Sequence, residues 1–334
     1  MPFNVEIAMR KPFVFILLLI LSSSMLFSQD VYRITVAADG SGDFKTIMQA
    51  IDAARAFPDQ RITIFIKNGI YNEKVFVPAC NPCISMIGEN AEKTIITWGD
   101  FFNKMNRGRN STFYTYTMLV DADDFYAENL TIENSAGPVG QAVALHVRGD
   151  RCVFRNCRIL GSQDTLYTDG FTGREYFDAC FIEGTTDFIF GGATVLFRNC
   201  TINSKANSYV TAASTPAGKK FGYVFMDCKL TATENVTAAY LGRPWRDFAR
   251  VVFIRCDLGK HIRAEGWSNW QGTARDKTAF YAEYKNTGPG SAVSGRVAWS
   301  HQLTSREASK YTITNILAPV HIDEKAPEEW ITGK

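Results

Sequence analysis

One phrase returns five times in this chain: V-F-R-N-C-R-I at Val153 to Ile159, Y-F-D-A-C-F-I at Tyr176 to Ile182, L-F-R-N-C-T-I at Leu196 to Ile202, V-F-M-D-C-K-L at Val224 to Leu230 and V-F-I-R-C-D-L at Val252 to Leu258. Its central residues, Cys157, Cys180, Cys200, Cys228 and Cys256, are 23, 20, 28 and 28 residues apart. Periods of this size fit a solenoid, in which each turn of chain buries its apolar side only against the next. The apolar pairs are short and rich in Val, Ile and Phe, and no helical period separates them, so each turn is predicted to consist of strands. The expected fold is all-β, a right-handed parallel β-helix with the cysteines stacked inside.

The repeat has a consequence for charge. Asp164 follows Cys157 by seven residues and Asp187 follows Cys180 by seven, so the two carboxylates are in phase on neighbouring turns. Adjacent strands run about 4.7 to 4.9 Å apart, which predicts two side chains roughly 5 Å from each other on one face. Two like charges that close do not both ionise cheaply; one pKa rises while a nearby cation holds the other carboxylate ionised.

The remaining chain bounds the reading. With 334 residues, 21% charged and a net charge of +2, it lacks the basic balance of a nucleic-acid binder, and no nucleic-acid partner is expected. Arg10 and Lys11 precede an apolar run from Phe13 to Leu21 and then a serine-rich stretch, which reads as a secretory signal peptide over residues 1–28. A retained membrane anchor is the other reading of those flanks. Residues 29–334 are then a single β-helix domain, secreted or periplasmic, monomeric, and without membrane insertion once the signal is cleaved.

Eight cysteines in an exported chain invite disulfides, but the repeat assigns five of them to a buried position, where Cys acts as a small hydrophobe. Cys80 and Cys83 are left open between a pair and a turn with two thiols. The four histidines have no metal-ligand spacing, so neither metal nor cofactor is expected.

A strand and the D-G-S-G-D turn lead into a helix over about Thr46 to Arg55, placed to cap the open end of the solenoid. Phe101 to Ser111 reads as a basic loop, and Tyr126 to Ile132 as a degenerate repeat with Asn129 in the Cys position. Beyond Asp257 the repeat fades, and the stretch from Ser305 is expected to pack as a tail along the outside.

Five separated motifs carry a resemblance. D-G-S-G-D-F-K-T-I at Asp39 to Ile47 and G-I-Y-N-E at Gly69 to Glu73 come first, followed by the central set Q-A-V-A-L (Gln141 to Leu145), G-S-Q-D-T-L (Gly161 to Leu166) and D-F-I-F-G (Asp187 to Gly191). L-G-R-P-W at Leu241 to Trp245 and E-Y-K-N-T-G-P-G at Glu283 to Gly290 complete the order. In these motifs the sequence resembles carbohydrate esterases of the pectin methylesterase (pectinesterase) family, whose fold is a right-handed parallel β-helix. The resemblance implies a nucleophile at Asp187, a general acid and later base at Asp164, oxyanion donors at Gln141 and Gln163, and a cation orienting the nucleophile at Arg243. It also implies a cleft for methyl-esterified pectin lined by Phe113, Tyr167, Phe190, Tyr240, Trp245 and Trp267.

Taken singly, each residue has a plainer reading. An Asp in G-S-Q-D-T ties down a turn, an Arg forms a surface ion pair, a Gln joins a ladder of amides, and an aromatic in a strand repeat packs in the core. Paired carboxylates at this spacing also describe a retaining glycoside hydrolase, and a non-catalytic polysaccharide-binding solenoid and an acyl-thioester hydrolase of the same descent are further alternatives. No G-x-S-x-G elbow occurs, which disfavours a serine esterase.

Overall fold

The computed structural model describes residues 32–319 except 171, together with residues 1, 321 and 323–333. The expected signal peptide lies outside the described residues. Among these, no helix is long and apolar enough to cross a membrane.

Three parallel sheets of eleven, eight and seven strands form the faces of a right-handed parallel β-helix, and the chain visits them in turn. Each copy of the repeat crosses one corner of it. The V-F half lies in the eleven-stranded sheet, where Phe154 pairs with Phe177, Phe177 with Phe197, Phe197 with Phe225 and Phe225 with Phe253. Their rings stack through the interior at centroid separations of 4.7, 5.1, 4.4 and 4.3 Å. The residue before each Cys makes the bend in the left-handed region: Asn156, Ala179, Asn199, Asp227 and Arg255 have φ between 48° and 56°. Asn and Asp tolerate that region better than most side chains. The five cysteines then stack as buried free thiols. Cys80 and Cys83 are also free, and half-buried.

Several boundaries differ from the sequence reading. In the Tyr126 copy it is Asn129, at φ 58°, that makes the bend, and the buried Leu130 takes the Cys position, because Tyr126 pairs with Val153. The repeat does not fade after Asp257. Phe280–Tyr284 adds another strand, with Lys285 in the bend and Asn286 in the Cys position. Phe101 to Ser111 is not an open loop: it holds a short helix, Phe102–Met105, and the start of a 3₁₀ segment, Gly108–Tyr114.

The capping helix is Ile47–Ala53, which buries Ile47, Ala50 and Ile51 against the first turn. Thr46 caps it, and the Glu73 carboxylate accepts from the Ile47 and Met48 N–H groups at 2.8 and 3.0 Å, where a helix N-terminus favours a negative charge. At the other end, Ile316, Leu317 and Trp330 of the tail cover Val153, Tyr176, Leu196 and Val224 on the outside of the eleven-stranded sheet. Arg174 fixes the tail, bonding Asp150, Glu324 at 2.6 Å and the Ala318 carbonyl at 3.1 Å.

Candidate active site

The seven-stranded sheet carries the site. Its strands are Val75–Val77, Met118–Val120, Leu145–Val147, Leu166–Thr168, Ile189–Gly191, Tyr209–Ala213 and Tyr240–Pro244. Side chains alternate between faces. Val75, Met118, Leu145, Leu166 and Ile189 therefore form an inward row, fully buried, while the next residue of each strand points outward. The outward row runs Phe76, Leu119, His146, Tyr167, Phe190, Ala212, Arg243.

Asp164 and Asp187 occupy equivalent places, each two residues before its strand. Leu166 pairs with Ile189, and the Asp164 N–H donates to the Thr186 carbonyl at 3.0 Å, so the aspartates stand on adjacent turns as their spacing predicts. Both lie in the left-handed region, at φ 63° and 51°. Gln141 and Gln163 are themselves bridged on adjacent turns, one turn and one residue before the aspartates. All four line a single cavity of about 310 Å³ with Arg243, Phe113, Phe190 and Trp245.

Arg243 reaches Asp187 along the outward row, across Ala212. Its Nε donates to Asp187 Oδ1 at 3.0 Å and its Nη2 to Oδ2 at 2.6 Å, a two-pronged charge-assisted contact. The guanidinium is clamped between the rings of Tyr209 and Trp270, each centroid 4.0 Å away. Asp164 forms no ion pair among the described residues.

The electrostatics separate the two carboxyls. Burial pushes the Asp164 carboxyl well above the ordinary range, and the charge on Asp187 pushes it further, against weaker opposition from Arg243 and a hydrogen bond from Gln163. Burial also raises Asp187, but there the Arg243 hydrogen bonds and charge work against the rise. Both carboxyls are raised, and the Arg243 contact opposes the rise more directly at Asp187, which favours Asp164 as the carboxyl that carries a proton.

The six aromatics divide. Phe113, Phe190 and Trp245 border the cavity, and Tyr167 extends it, its ring 5.1 Å from Phe113 and 4.5 Å from Phe190. Tyr240 lies beyond the cavity lining, stacked on Tyr209 at 5.3 Å and covered by Arg263. Trp267 does not belong to a cleft. It bridges Gly242, which lies in the inward row, and is fully buried between Phe253 and Tyr281. Trp270, three residues on, faces the cavity in its place. Phe102, Arg109, Thr112 and Ala212 also line the cavity and were not found from the sequence. Among the described residues, no cluster of His, Cys, Asp and Glu is arranged to hold a metal ion.

Comparison with known proteins identifies the family. Residues 33–319 match the family model described as Pectinesterase. Pectinesterase 31 of Arabidopsis thaliana is 39% identical over 294 residues, 86% of this chain and 92% of its own length. Pectinesterase 2 of Citrus sinensis is also 39% identical, over 86% of this chain but 58% of its own longer length. Among solved structures, the pectin methylesterase from carrot superposes with a TM-score of 0.82 at 35% identity, covering 90% of this chain and 94% of that one. A pectin methylesterase in complex with a hexasaccharide superposes with a TM-score of 0.75 at 29% identity, covering 87% of this chain and 98% of that one. This chain belongs to the pectinesterase family.

Proposed function

We propose that the chain hydrolyses methyl esters of galacturonate units in pectin, releasing methanol and leaving de-esterified pectate, and that Asp187 and Asp164 divide the chemistry. The observation that carries this reading is the asymmetry of the pair: Arg243 grips both oxygens of Asp187, while Asp164 beside it has no cation of its own. An ionised carboxylate and a proton donor at one ester are what acyl transfer to a carboxylate needs.

Ionised Asp187 attacks the C6 ester carbonyl. The side-chain amides of Gln141 and Gln163 donate to the oxyanion that develops, a contribution worth about 2.7 to 4 kcal/mol per donor in comparable sites. As the tetrahedral intermediate collapses, the bond to methoxide breaks, Asp164 gives methoxide its proton, and methanol leaves. The acyl-enzyme is an anhydride between the Asp187 carboxyl and C6. Asp164, now ionised, takes a proton from a water, whose oxygen attacks the anhydride. This frees the C6 carboxylic acid, which loses its proton to solvent to give galacturonate, and restores ionised Asp187 beside protonated Asp164.

Phe113, Tyr167, Phe190 and Trp245 offer apolar faces for the C–H faces of the sugars, and Trp270 lines the same cavity. The polymer is read as an extracellular substrate, consistent with an exported, monomeric enzyme that needs no cofactor. Incubation with methylated pectin tests the assignment. Methanol and acid without chain shortening support the esterase, and new reducing ends support a glycoside hydrolase. Near wild-type methanol release from Asp187→Ala or Asp164→Ala would remove that residue from the mechanism.

A further inference from the structure

The segment that runs from Phe101 to Thr115 carries three cations, Lys104, Arg107 and Arg109, and the reaction steps above use none of them. Two are already engaged. Lys104 pairs with Asp100 at 2.8 Å, and the Arg107 guanidinium lies over the Tyr114 ring, 4.1 Å from its centroid. Arg109 differs. It is exposed, it lines the catalytic cavity, and its guanidinium forms no hydrogen bond, ion pair or ring contact among the described residues.

The segment that holds Arg109 is fixed in place. At one end the Phe102 N–H donates to the Gln141 carbonyl at 2.9 Å, and at the other the Val143 N–H donates to Thr115 Oγ1 at 2.9 Å, so both ends are tied to the turn that supplies Gln141. Between them Ser111 Oγ accepts from the Arg107 N–H at 2.9 Å and donates to the Gly108 carbonyl at 2.9 Å, while Phe113 rests against Tyr167. Asp164 and Asp187 stand on the turns between that of Gln141 and that of Arg243, so Arg109 is anchored on the side of the reacting pair away from Arg243.

The charge on Arg109 is not spent inside the cavity. The carboxylates that line it are Asp164 and Asp187. Arg243 holds both oxygens of Asp187, and Asp164 is the carboxyl favoured to carry the proton. Arg109 is not among the groups that shift either of them, so its guanidinium acts away from the reacting atoms. A polymer laid along this wall strips water from an unpaired cation, which is costly unless the polymer brings an anion to it.

We propose that Arg109 is a specificity residue, which takes the free carboxylate of a galacturonate unit next to the one whose ester reacts, so that partly de-esterified pectin is preferred to the fully methylated polymer. A carboxylate meets the planar guanidinium with two parallel hydrogen bonds and an opposite charge, whereas a methyl ester brings a neutral carbonyl and a methyl group to the same place. The inference rests on the pectinesterase reading of the cleft and adds to it the unit beside the reaction.

The test measures methanol release by the whole chain from two trigalacturonates, one methylated only on its middle unit and one methylated on all three. In the wild type kcat/KM is higher for the first, and the ratio between the two falls as salt is added. In Arg109→Gln the ratio drops about fivefold or more, and Arg109→Lys recovers part of it. A merely structural role would lower both substrates alike and leave the ratio where it was. Methanol release with no wild-type preference for the singly methylated trimer, or with a ratio unchanged in Arg109→Gln, overturns the inference alone. No methanol from either trimer in the wild type refutes the pectinesterase reading and this inference with it.

Discussion

Replacing Arg243 with Ala isolates the contact on which the catalytic asymmetry depends. The guanidinium makes two hydrogen bonds to Asp187, at 3.0 and 2.6 Å, between side chains that are 20% and 9% exposed. Removing one partner of a buried pair costs about 3 to 5 kcal/mol, because the other charge is left uncompensated. A direct electrostatic figure agrees: unit charges 4 Å apart at an effective dielectric of 20 interact by about 4 kcal/mol. Asp187 can relieve that cost only by taking a proton, and a protonated carboxyl is no nucleophile. When about 3 to 4 kcal/mol is added to the free-energy barrier of the attacking step, kcat falls roughly 10²- to 10³-fold. The acid limb of the rate profile moves to higher pH as well, since burial without the cation holds the Asp187 proton more tightly. Arg243→Lys restores a charge but not the fork, so it should recover part of the rate. Methanol release measured across pH for the wild type and both variants is the assay. A variant with unchanged kcat and an unmoved acid limb, altered only in KM, would refute the reasoning.

Three further outcomes follow from the same structure. Asp164→Asn should abolish turnover yet raise Tm by a few degrees at neutral pH: a carboxyl whose folded pKa is raised loses stability as pH climbs above its unfolded value near 3.9, and the gain should vanish below that pH in thermal melts. Glu175, fully buried with neither carboxyl oxygen hydrogen-bonded among the described residues, is likewise raised by burial; Glu175→Gln should flatten the decline of stability with rising pH above about 4.3, and an unchanged slope would contradict a neutral buried acid. Phe225→Ala, which removes the ring stacked 4.4 Å from Phe197 and 4.3 Å from Phe253, should cost about 3 to 5 kcal/mol in denaturant unfolding, and a loss under 1 kcal/mol would show that the interior collapses around the gap.

Much of this was legible in the sequence because a solenoid is nearly one-dimensional. Once the Cys positions define a turn, residues at equal offsets share a place, and Asp164 and Asp187 come together without any knowledge of the rest. The same logic applied to Asn129 was off by one residue: the eye aligns like letters, whereas the bend needs a residue that tolerates positive φ and the column needs an apolar one, which is Leu130. Trp267 and Trp270 could not be told apart in G-W-S-N-W. Which one faces the cleft depends on Trp267 bridging Gly242, a glycine whose Cβ would fall 1.9 Å from Thr211 Oγ1, and that pairing leaves no trace in local composition. Ala212 and Arg109 were missed for a similar reason. A small residue that leaves Arg243 room and a loop cation that lines a cavity become meaningful only when distant segments are brought together.

The central claim is that one aspartate is charged while its neighbour keeps its proton. Carbon-13 NMR titration of the two carboxyl groups in the free enzyme tests it directly. The account predicts that Asp187 ionises first and that Asp164 stays protonated to markedly higher pH, with Arg243→Ala narrowing the gap between them. Ionisation of Asp164 before Asp187, or both together in the ordinary carboxylate range, would contradict it.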